Sequence, residues 1–235
     1  MHNSRCLPGN RPMKLPQTTI PTLCVAGSAD RFPVRRIYCV GLNYANHARE
    51  MGNDPKRDPP FFFSKPPDAV VASGSRLPFP VKTADLHHEV ELVIALGAGG
   101  ASVRSDQASA LIFGYAVGID LTRRDLQAAA KKAGRPWDMA KGFDHSAPIG
   151  PLTLGIPPPE APISLSVDGQ VRQSADLSDM IWKVPEIIAS LSTFVALAPG
   201  DLIFTGTPSG VGPIAPGQWL HGSIGSIAPI DVCFQ

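Results

Sequence analysis

A β-rich α+β domain is the fold class that this sequence predicts, and two observations support the prediction. Short apolar stretches with strand periodicity recur along the chain, whereas a long amphipathic helix pattern is visible only at residues 185–195. Prolines (25) and glycines (22) make up about a fifth of the 235 residues, which favours turns and short strands. Many strands with few helices indicate an α+β arrangement around one substantial core.

The chain is expected to form a single domain over residues 31–235, preceded by an extended N-terminal lead-in over residues 1–30. The lead-in is irregular and rich in Pro, Thr and Ser. Ordered structure is expected to begin near Ile37–Val40, a buried strand. A short helix should follow this strand and stop at Gly52.

The middle of the chain adds two strands and a helix. Phe61–Phe63 and Val117–Asp120 are apolar stretches that we expect to be strands. Thr122, with Asp125 three positions later, forms a capping-box pattern. A helix is therefore expected to open at Thr122 and to stop at Gly134.

The C-terminal part begins with a hairpin signal. Asp168-Gly169 lies between two strand-like runs and predicts a two-residue turn. Pro185 fits the first turn of the long amphipathic helix. The turn Pro199–Asp201 should lead into the strand Leu202–Thr205.

Two carboxylates stand out in Leu86–Leu92. Glu89 and Glu91 are two residues apart within strand periodicity, so they should point to the same face of a sheet. Like charges on a buried face need a cation, a shared proton or strong donors. Asp120 would complete a set of oxygen ligands for Mg²⁺, with Mn²⁺ or Ca²⁺ as alternatives. The other interpretation is a solvated strand face, with Asp120 pairing with the start of the next helix.

Further polar residues are placed to act together. His47 and Glu50 are three apart on the predicted short helix, a spacing that suits either a general base for water or an ordinary surface pair. Arg124 and Gln127 have the same spacing and could face one cleft. Lys141 could offset the negative charge of the carboxylates and donate to an oxyanion, or be solvated.

The glycine-rich stretch Thr205–Gly212 is another candidate. Its glycines would let backbone N–H groups approach an anion closely. A tight turn between strands is the alternative.

Several classes of protein are not supported. A formal net charge of +1 without a long basic cluster argues against nucleic-acid binding, and the apolar stretch Ile20–Ala26 is too short for a membrane span. Four cysteines without a CxxC pair fit free thiols, so a cytoplasmic location is expected. Neither GxGxxG nor GxSxG is present, and we expect no organic cofactor.

Taken together, the motifs resemble the fumarylacetoacetate hydrolase family, from about Phe32 to Val232. The stretches that carry the resemblance are residues 38–51, 61–66, 86–92, 114–127, 141–144 and 204–212. Within this family, the sequence is most similar to the fumarylpyruvate hydrolase branch. The resemblance implies mixed β-sheets in a roll or barrel of the family's C-terminal-domain type, a homodimer, and Mg²⁺ or a similar ion.

The resemblance also implies roles for individual residues. The family's metal ligands match Glu89, Glu91 and Asp120. Its water-activating pair matches His47 and Glu50, and its active-site lysine matches Lys141. Its substrate contacts match Arg124, Gln127 and Thr207.

The implied reaction is metal-dependent hydrolysis of a carbon–carbon bond in a 2,4-dioxo acid. Fumarylpyruvate, giving fumarate and pyruvate, or a related acylpyruvate would be the substrate, in aromatic-compound catabolism. Oxaloacetate decarboxylation and isomerisation or decarboxylation of a 2-hydroxy-dienoate on the same metal site are the first alternatives. A non-catalytic binding protein is the second.

Overall fold

Strands make up most of the regular structure in the computed structural model, which describes residues 15–52 and 58–235. The strands are β1 (Thr22–Cys24), β2 (Arg31–Pro33), β3 (Arg36–Val40), β4 (Phe62–Lys65), β5 (Val70–Ala72), β6 (Ser75–Leu77), β7 (Leu86–His88), β8 (Val90–Leu96), β9 (Ile112–Ile119), β10 (Thr122–Arg123), β11 (Ala147–Ile149), β12 (Thr153–Leu154), β13 (Pro162–Val167), β14 (Gln170–Asp176), β15 (Asp201–Phe204), β16 (Gly212–Pro213), β17 (Trp219–Ile224) and β18 (Ile230–Phe234).

The helices are fewer and short. The α-helices are α1 (Ala45–Glu50), α2 (Ser105–Ala108), α3 (Arg124–Ala133), α4 (Asp138–Lys141) and α5 (Val184–Phe194). Single 3₁₀ turns lie at Pro67–Ala69, Ser109–Leu111 and Leu177–Asp179. The predicted β-rich α+β class is confirmed, as are the helix around Pro185 and the strand that follows Pro199–Gly200.

Two sheets form the body of the domain. The larger has the order β4-β3-β15-β8-β9-β11-β5, with β12 also pairing with β9. It is mixed, because β15 runs parallel to β3 and β11 parallel to β5, whereas β8 and β9 are antiparallel. The smaller sheet has the order β14-β13-β17-β18-β6. The predicted hairpin at Asp168-Gly169 joins β13 to β14, and both residues have positive φ (49° and 78°), as a type I′ turn requires.

The central strand β8 is buried on both faces. Leu92 and Ile94 pack into one apolar cluster, whereas Val93 and Ala95 pack into a second cluster on the other side. The near-continuous apolar run of β8 follows from this double burial. Glu91 therefore lies on the same face of β8 as the apolar residues Val93 and Ala95.

The strand periodicity predicted for Glu89 and Glu91 holds for Glu91 only. The chain breaks at Glu89, where β7 ends and β8 begins. β7 belongs to a separate three-stranded sheet with β10 and β16. At the break, the N–H of Val90 donates to Oε1 of Gln173 (3.0 Å).

The predicted start of order near Ile37 is wrong. β1 and β2 pair as an antiparallel ribbon, and Leu23 and Val25 are buried in the second apolar cluster. Burial of these side chains accounts for the order of a segment that the sequence assigned to the lead-in. Residues 1–14 of that lead-in lie outside the described residues, and the domain boundary at residue 31 stays a prediction.

The helix after Asp120 begins later than its capping pattern indicated. Thr122 pairs with His87 in β10, and α3 starts only at Arg124. Asp125 accepts hydrogen bonds from the Thr83 hydroxyl (2.7 Å) and the Ala84 N–H (3.0 Å). Sheet pairing thus takes the place of the capping box, while the predicted stop at Gly134 (φ 61°) is confirmed. Across the described residues, the helices are too short or too polar to cross a bilayer.

Candidate active site and metal centre

Three buried carboxylates meet where β8 and β9 lie side by side. Glu91 is the second residue of β8, Glu89 sits in the break before it, and Asp120 directly follows β9. The Asp120 N–H donates to the Glu89 carbonyl (2.8 Å), which fixes the two chain segments to each other. One ligand oxygen from each carboxylate lies within 4.8 Å of the others. The predicted convergence of these three residues is therefore present.

Lys141, at the end of α4, holds two of these carboxylates. Its Nζ donates to Oε2 of Glu89 (2.9 Å), to Oδ2 of Asp120 (2.8 Å) and to the Thr122 hydroxyl (2.6 Å). These contacts use the three donors of the ammonium. Lys141 thus compensates charge at the cluster, as predicted, and its donation to an oxyanion stays a prediction.

Lys65 is a second buried cation at the cluster, and the sequence analysis did not single it out. Its Nζ lies 2.7 Å from Oδ1 of Asp120 and donates to the carbonyls of Leu121 and Lys141. The sequence feature that could have identified Lys65 is its position within an apolar strand. It lies two residues after Phe63 and hence on the same face of β4.

Arg124, the first residue of α3, contacts Glu89 through Nη2 and donates to the Gln127 side-chain oxygen (2.6 Å). Its Nε also donates to Nδ1 of His87 (3.4 Å), whose Nε2 pairs with Asp85 (2.8 Å). The predicted placement of Arg124 and Gln127 in one cleft is observed, since both line the cavity above the carboxylates.

The protonation of the two glutamates differs. Burial raises the pKa of Glu91 well above its usual value, and the neighbouring Asp120 and Glu89 raise it further. Burial alone would also raise the pKa of Glu89, but the cations of Lys141 and Arg124 bring it below its usual range. Burial opposes the charge of Lys141, yet Asp120 and Glu89 raise its pKa. The cations of the cluster thus act more strongly on Glu89 than on Glu91.

A divalent ion fits this cluster on two observations. The donor set is three carboxylates, the ligand type that hard cations prefer. In addition, Glu91 forms no ion pair with the described residues, and the donor to its Oε2 is the Gly206 N–H (2.7 Å). Glu89, Glu91 and Asp120 could therefore hold a metal ion.

His47 and Glu50 lie across the cleft on α1. Nδ1 of His47 is 3.1 Å from Oε2 of Glu50, and the imidazole is almost completely buried. Glu50 also accepts the Gly210 N–H (3.0 Å). The predicted pair is thus present, and it is oriented by the backbone as well as by its own helix.

The glycine-rich stretch holds the carboxylates of the site itself. The Gly206 N–H donates to Oε2 of Glu91 (2.7 Å), and the Gly210 N–H donates to Glu50. Gly206 has φ 95°, and a Cβ there would lie 2.7 Å from the side chain of Asn43. Thr207 reaches the cleft, and its hydroxyl donates to the Val90 carbonyl (2.8 Å).

Gln173 is a second residue that the sequence analysis missed. It is fully buried on β14, and its amide nitrogen donates to the Thr207 hydroxyl (2.8 Å) and the Pro208 carbonyl (2.9 Å). Its amide oxygen contacts the Val90 N–H and Nδ1 of His88. Gln173 therefore fixes the strand break at Glu89 to the glycine-rich stretch.

The outer part of the cleft is lined by an aromatic wall, which we define as Phe61, Phe63 and Trp137. The ring centroid of Trp137 lies 5.7 Å from that of Phe61 and 5.9 Å from that of Phe63. Leu42, which has a positive φ of 56°, lines the same cavity. The cleft thus combines a charged inner end with an apolar outer wall.

Comparison with known proteins relates this arrangement to other chains. A crystal structure of fumarylpyruvate hydrolase from Pseudomonas aeruginosa, in complex with Mn²⁺ and pyruvate, has a TM-score of 0.91 and 50% identity, covering 94% of this chain and 98% of that chain. A fumarylpyruvate hydrolase of Ralstonia sp is 44% identical over 174 residues, 73% of this chain and 91% of that protein. The mitochondrial oxaloacetate tautomerase of Arabidopsis thaliana is 41% identical over 199 residues, 83% of this chain and 89% of that protein.

A family model matches most of the chain as well. The model describes the C-terminal domain of fumarylacetoacetate (FAA) hydrolase and matches residues 36–231. This range includes the three carboxylates, both buried lysines and the His47–Glu50 pair. The chain belongs to the fumarylacetoacetate hydrolase family.

Proposed function

We propose that this protein is a metal-dependent hydrolase that cleaves a carbon–carbon bond of a 2,4-dioxo acid, with fumarylpyruvate or a related acylpyruvate as its substrate. The observation that carries the proposal is the His47–Glu50 pair, because the buried imidazole of His47 lines the same cleft as Glu89 and Glu91. Hydrolysis of this kind needs a base for water and a way to accommodate an electron pair on carbon.

His47 is the proposed base. Because Glu50 contacts its Nδ1, Nε2 is the ring nitrogen that takes a proton from water. The water oxygen bonds to the C4 carbonyl carbon, and the C3–C4 bond breaks. The electron pair of that bond stays on the three-carbon fragment, which takes up a proton and leaves as pyruvate. The other fragment leaves as a carboxylic acid, fumarate when fumarylpyruvate is the substrate.

The inner end of the cleft would hold the pyruvate part of the substrate. Glu89, Glu91 and Asp120 are the residues that would hold Mg²⁺, with Mn²⁺ or Ca²⁺ as alternatives. A bound ion would act as a Lewis acid for the electron pair left on the pyruvate fragment and would orient its oxygens. The P. aeruginosa relative, which contains Mn²⁺ and pyruvate, supports this proposal.

Further cleft residues have proposed roles. Lys141 holds Glu89 and Asp120 in place, and its ammonium assists with charge that develops on oxygen. Arg124, Gln127 and Thr207 line the cavity and are the proposed substrate contacts.

Oxaloacetate tautomerisation or decarboxylation is the second candidate function. The Arabidopsis relative carries the name of an oxaloacetate tautomerase, and its identity to this chain is similar to that of the Ralstonia hydrolase. These reactions add no water to a carbonyl group, so they need no water-activating base. Tautomerisation still requires a base for the C3 proton, so turnover of a dioxo acid rather than of oxaloacetate separates the two candidates.

The test measures pyruvate release by the Mg²⁺-loaded protein from fumarylpyruvate and acetylpyruvate, and loss of oxaloacetate, each with and without a chelator. Hydrolysis should fall about 10²–10⁴-fold in His47→Gln, the usual contribution of a general base, while Mg²⁺ still raises the melting temperature. His221→Gln is the matched control, because His221 forms a similar pair with Asp231 (2.8 Å) on the surface. Wild-type hydrolysis by His47→Gln, or no turnover of either dioxo acid, would contradict the proposal.

The proposed setting is aromatic-compound catabolism in the cytoplasm, carried out by a homodimer. The names of the Ralstonia and Pseudomonas relatives support a substrate of that kind. Free thiols at Cys24, Cys39 and Cys233 support a reducing compartment. The homodimer rests on the resemblance to the family.

A further inference from the structure

One face of β4 lines the cleft and extends from the carboxylate cluster towards the cleft mouth. Lys65 and Phe63 alternate on this face, and Phe61 continues the alternation just before the strand. At about 3.4 Å per residue, these side chains are spaced roughly 7 Å apart along the cleft. Lys65 lies at Asp120, whereas Phe61, partly exposed, lies at the cleft mouth. A bound chain that starts at the carboxylates would thus run outward along the aromatic wall.

Lys131 lies at the outer end of this wall. Its Nζ is 5.1 Å from the ring centroid of Trp137, and it lines the same cavity as the carboxylates. It is seven residues after Arg124 on α3, which is two helical turns or about 10 Å along the axis. Arg124 and Lys131 therefore share one side of the helix, with Arg124 at Glu89 and Lys131 at Trp137.

Lys131 differs from the other cations of the cleft. Lys65, Lys141 and Arg124 each have a carboxylate partner, but Lys131 has none among residues 15–52 and 58–235. Partial burial, and then the nearby charge of Arg124, lower the pKa of Lys131, although the charge of Glu89 acts in the opposite direction. An ammonium over an aromatic ring without an acidic partner is a suitable site for an anionic group of a ligand.

We propose that Lys131 binds a second carboxylate at the far end of the acyl group, so that the cleft selects 2-oxo acids that are also diacids. This inference rests on the proposed function for the position of the 2-oxo acid head at the inner end. Trp137, Phe61 and Phe63 contact the carbon chain between the two charged ends. The length of the wall suits an acid longer than the four carbons of oxaloacetate.

The test compares two ligands that share a head group. 2-Oxoadipate and 2-oxohexanoate are both six-carbon 2-oxo acids, and only the first has a distal carboxylate. Neither has a 4-carbonyl, so neither can undergo the proposed hydrolysis. Their dissociation constants are measured by calorimetry with the full-length, Mg²⁺-loaded protein and its variants Lys131→Gln, Lys131→Arg and Lys132→Gln.

The wild-type protein should bind 2-oxoadipate more tightly than 2-oxohexanoate. Lys131→Gln should weaken the binding of 2-oxoadipate about 3- to 10-fold and leave the binding of 2-oxohexanoate unchanged. This is the effect expected for loss of one charge-assisted contact at a partly exposed site. Lys131→Arg should keep the preference. Lys132→Gln, the control on the next residue, should behave as wild type because Lys132 does not line the cleft.

Three results would overturn the inference: no binding of 2-oxoadipate to the wild type, an unchanged constant in Lys131→Gln, or equal weakening of both ligands. Failure of the proposed hydrolase function has a different signature. In that case fumarylpyruvate is not cleaved, while the two inert ligands still report on Lys131.

Discussion

Replacing Lys65 with methionine would remove a fully buried ammonium from the carboxylate cluster. In the wild-type protein this ammonium lies 2.7 Å from Oδ1 of Asp120 and donates to two backbone carbonyls. Methionine has a similar length but no charge or donor. The substitution therefore isolates the electrostatic contribution of Lys65 from its volume.

The expected loss of stability follows from burial. Removing one partner of a buried ion pair usually costs about 3–5 kcal/mol, because the other charge is left without compensation. Asp120 keeps its contact with Lys141, which places the expected cost near the lower limit, about 3 kcal/mol. For a chain of this size, each kcal/mol corresponds to roughly 2–4 °C, so the melting temperature should fall by about 6–12 °C.

Metal binding gives this variant a second, independent readout. Without Lys65 the cluster carries one positive charge fewer, so it should attract a divalent ion more strongly. Mg²⁺ should then raise the melting temperature of Lys65→Met by more than that of the wild type. Scanning calorimetry with Mg²⁺ and with a chelator measures both effects, and Lys132→Met is the exposed control.

Two results would refute the reasoning. A loss of stability below about 1 kcal/mol would show that this buried ion pair contributes no more to stability than an exposed ion pair does. A smaller Mg²⁺ effect in Lys65→Met than in the wild type would show that Lys65 does not oppose a metal ion at the carboxylates.

Two further predictions concern Glu91 and Gln173. Glu91→Ala should abolish Mg²⁺-dependent turnover and the Mg²⁺-dependent rise in melting temperature, and a variant that keeps both would remove Glu91 from the ligand set. Gln173→Leu leaves the Val90 N–H and the Pro208 carbonyl buried without their partner, so urea denaturation should give a loss of about 2–4 kcal/mol. Stability equal to the wild type in Gln173→Leu would contradict the positioning role of this amide.

Local patterns predicted the parts of the site that depend on local structure. The period-two spacing of Glu89 and Glu91 and the end of the apolar run at Asp120 indicated a metal site as one of two interpretations, and the resemblance to the family favoured it. The i, i+3 spacing likewise predicted the contact between His47 and Glu50. For His47 and Glu50, one short helix fixes the relation between the two side chains, whereas Asp120 reaches Glu89 and Glu91 through the pairing of β8 with β9.

The missed residues depend on pairing between distant segments. Lys65 reaches Asp120 through the register of β4 in the larger sheet, and Gln173 contacts the Val90 N–H across 83 positions of sequence. The same cause explains the error at Thr122, where pairing with β7 overrides a local capping pattern. A single sequence contains no direct signal for such registers.

The glycine-rich stretch from Thr205 to Gly210 has a consequence for how new substrates could arise. The N–H of Gly206 holds Glu91 and the N–H of Gly210 holds Glu50, so five consecutive residues link the acidic centre to the partner of the imidazole. The aromatic wall and Lys131 come from other segments. Changes in the acyl-group side of the cleft can therefore accumulate without moving the reactive groups, which gives one scaffold a route to several related acids.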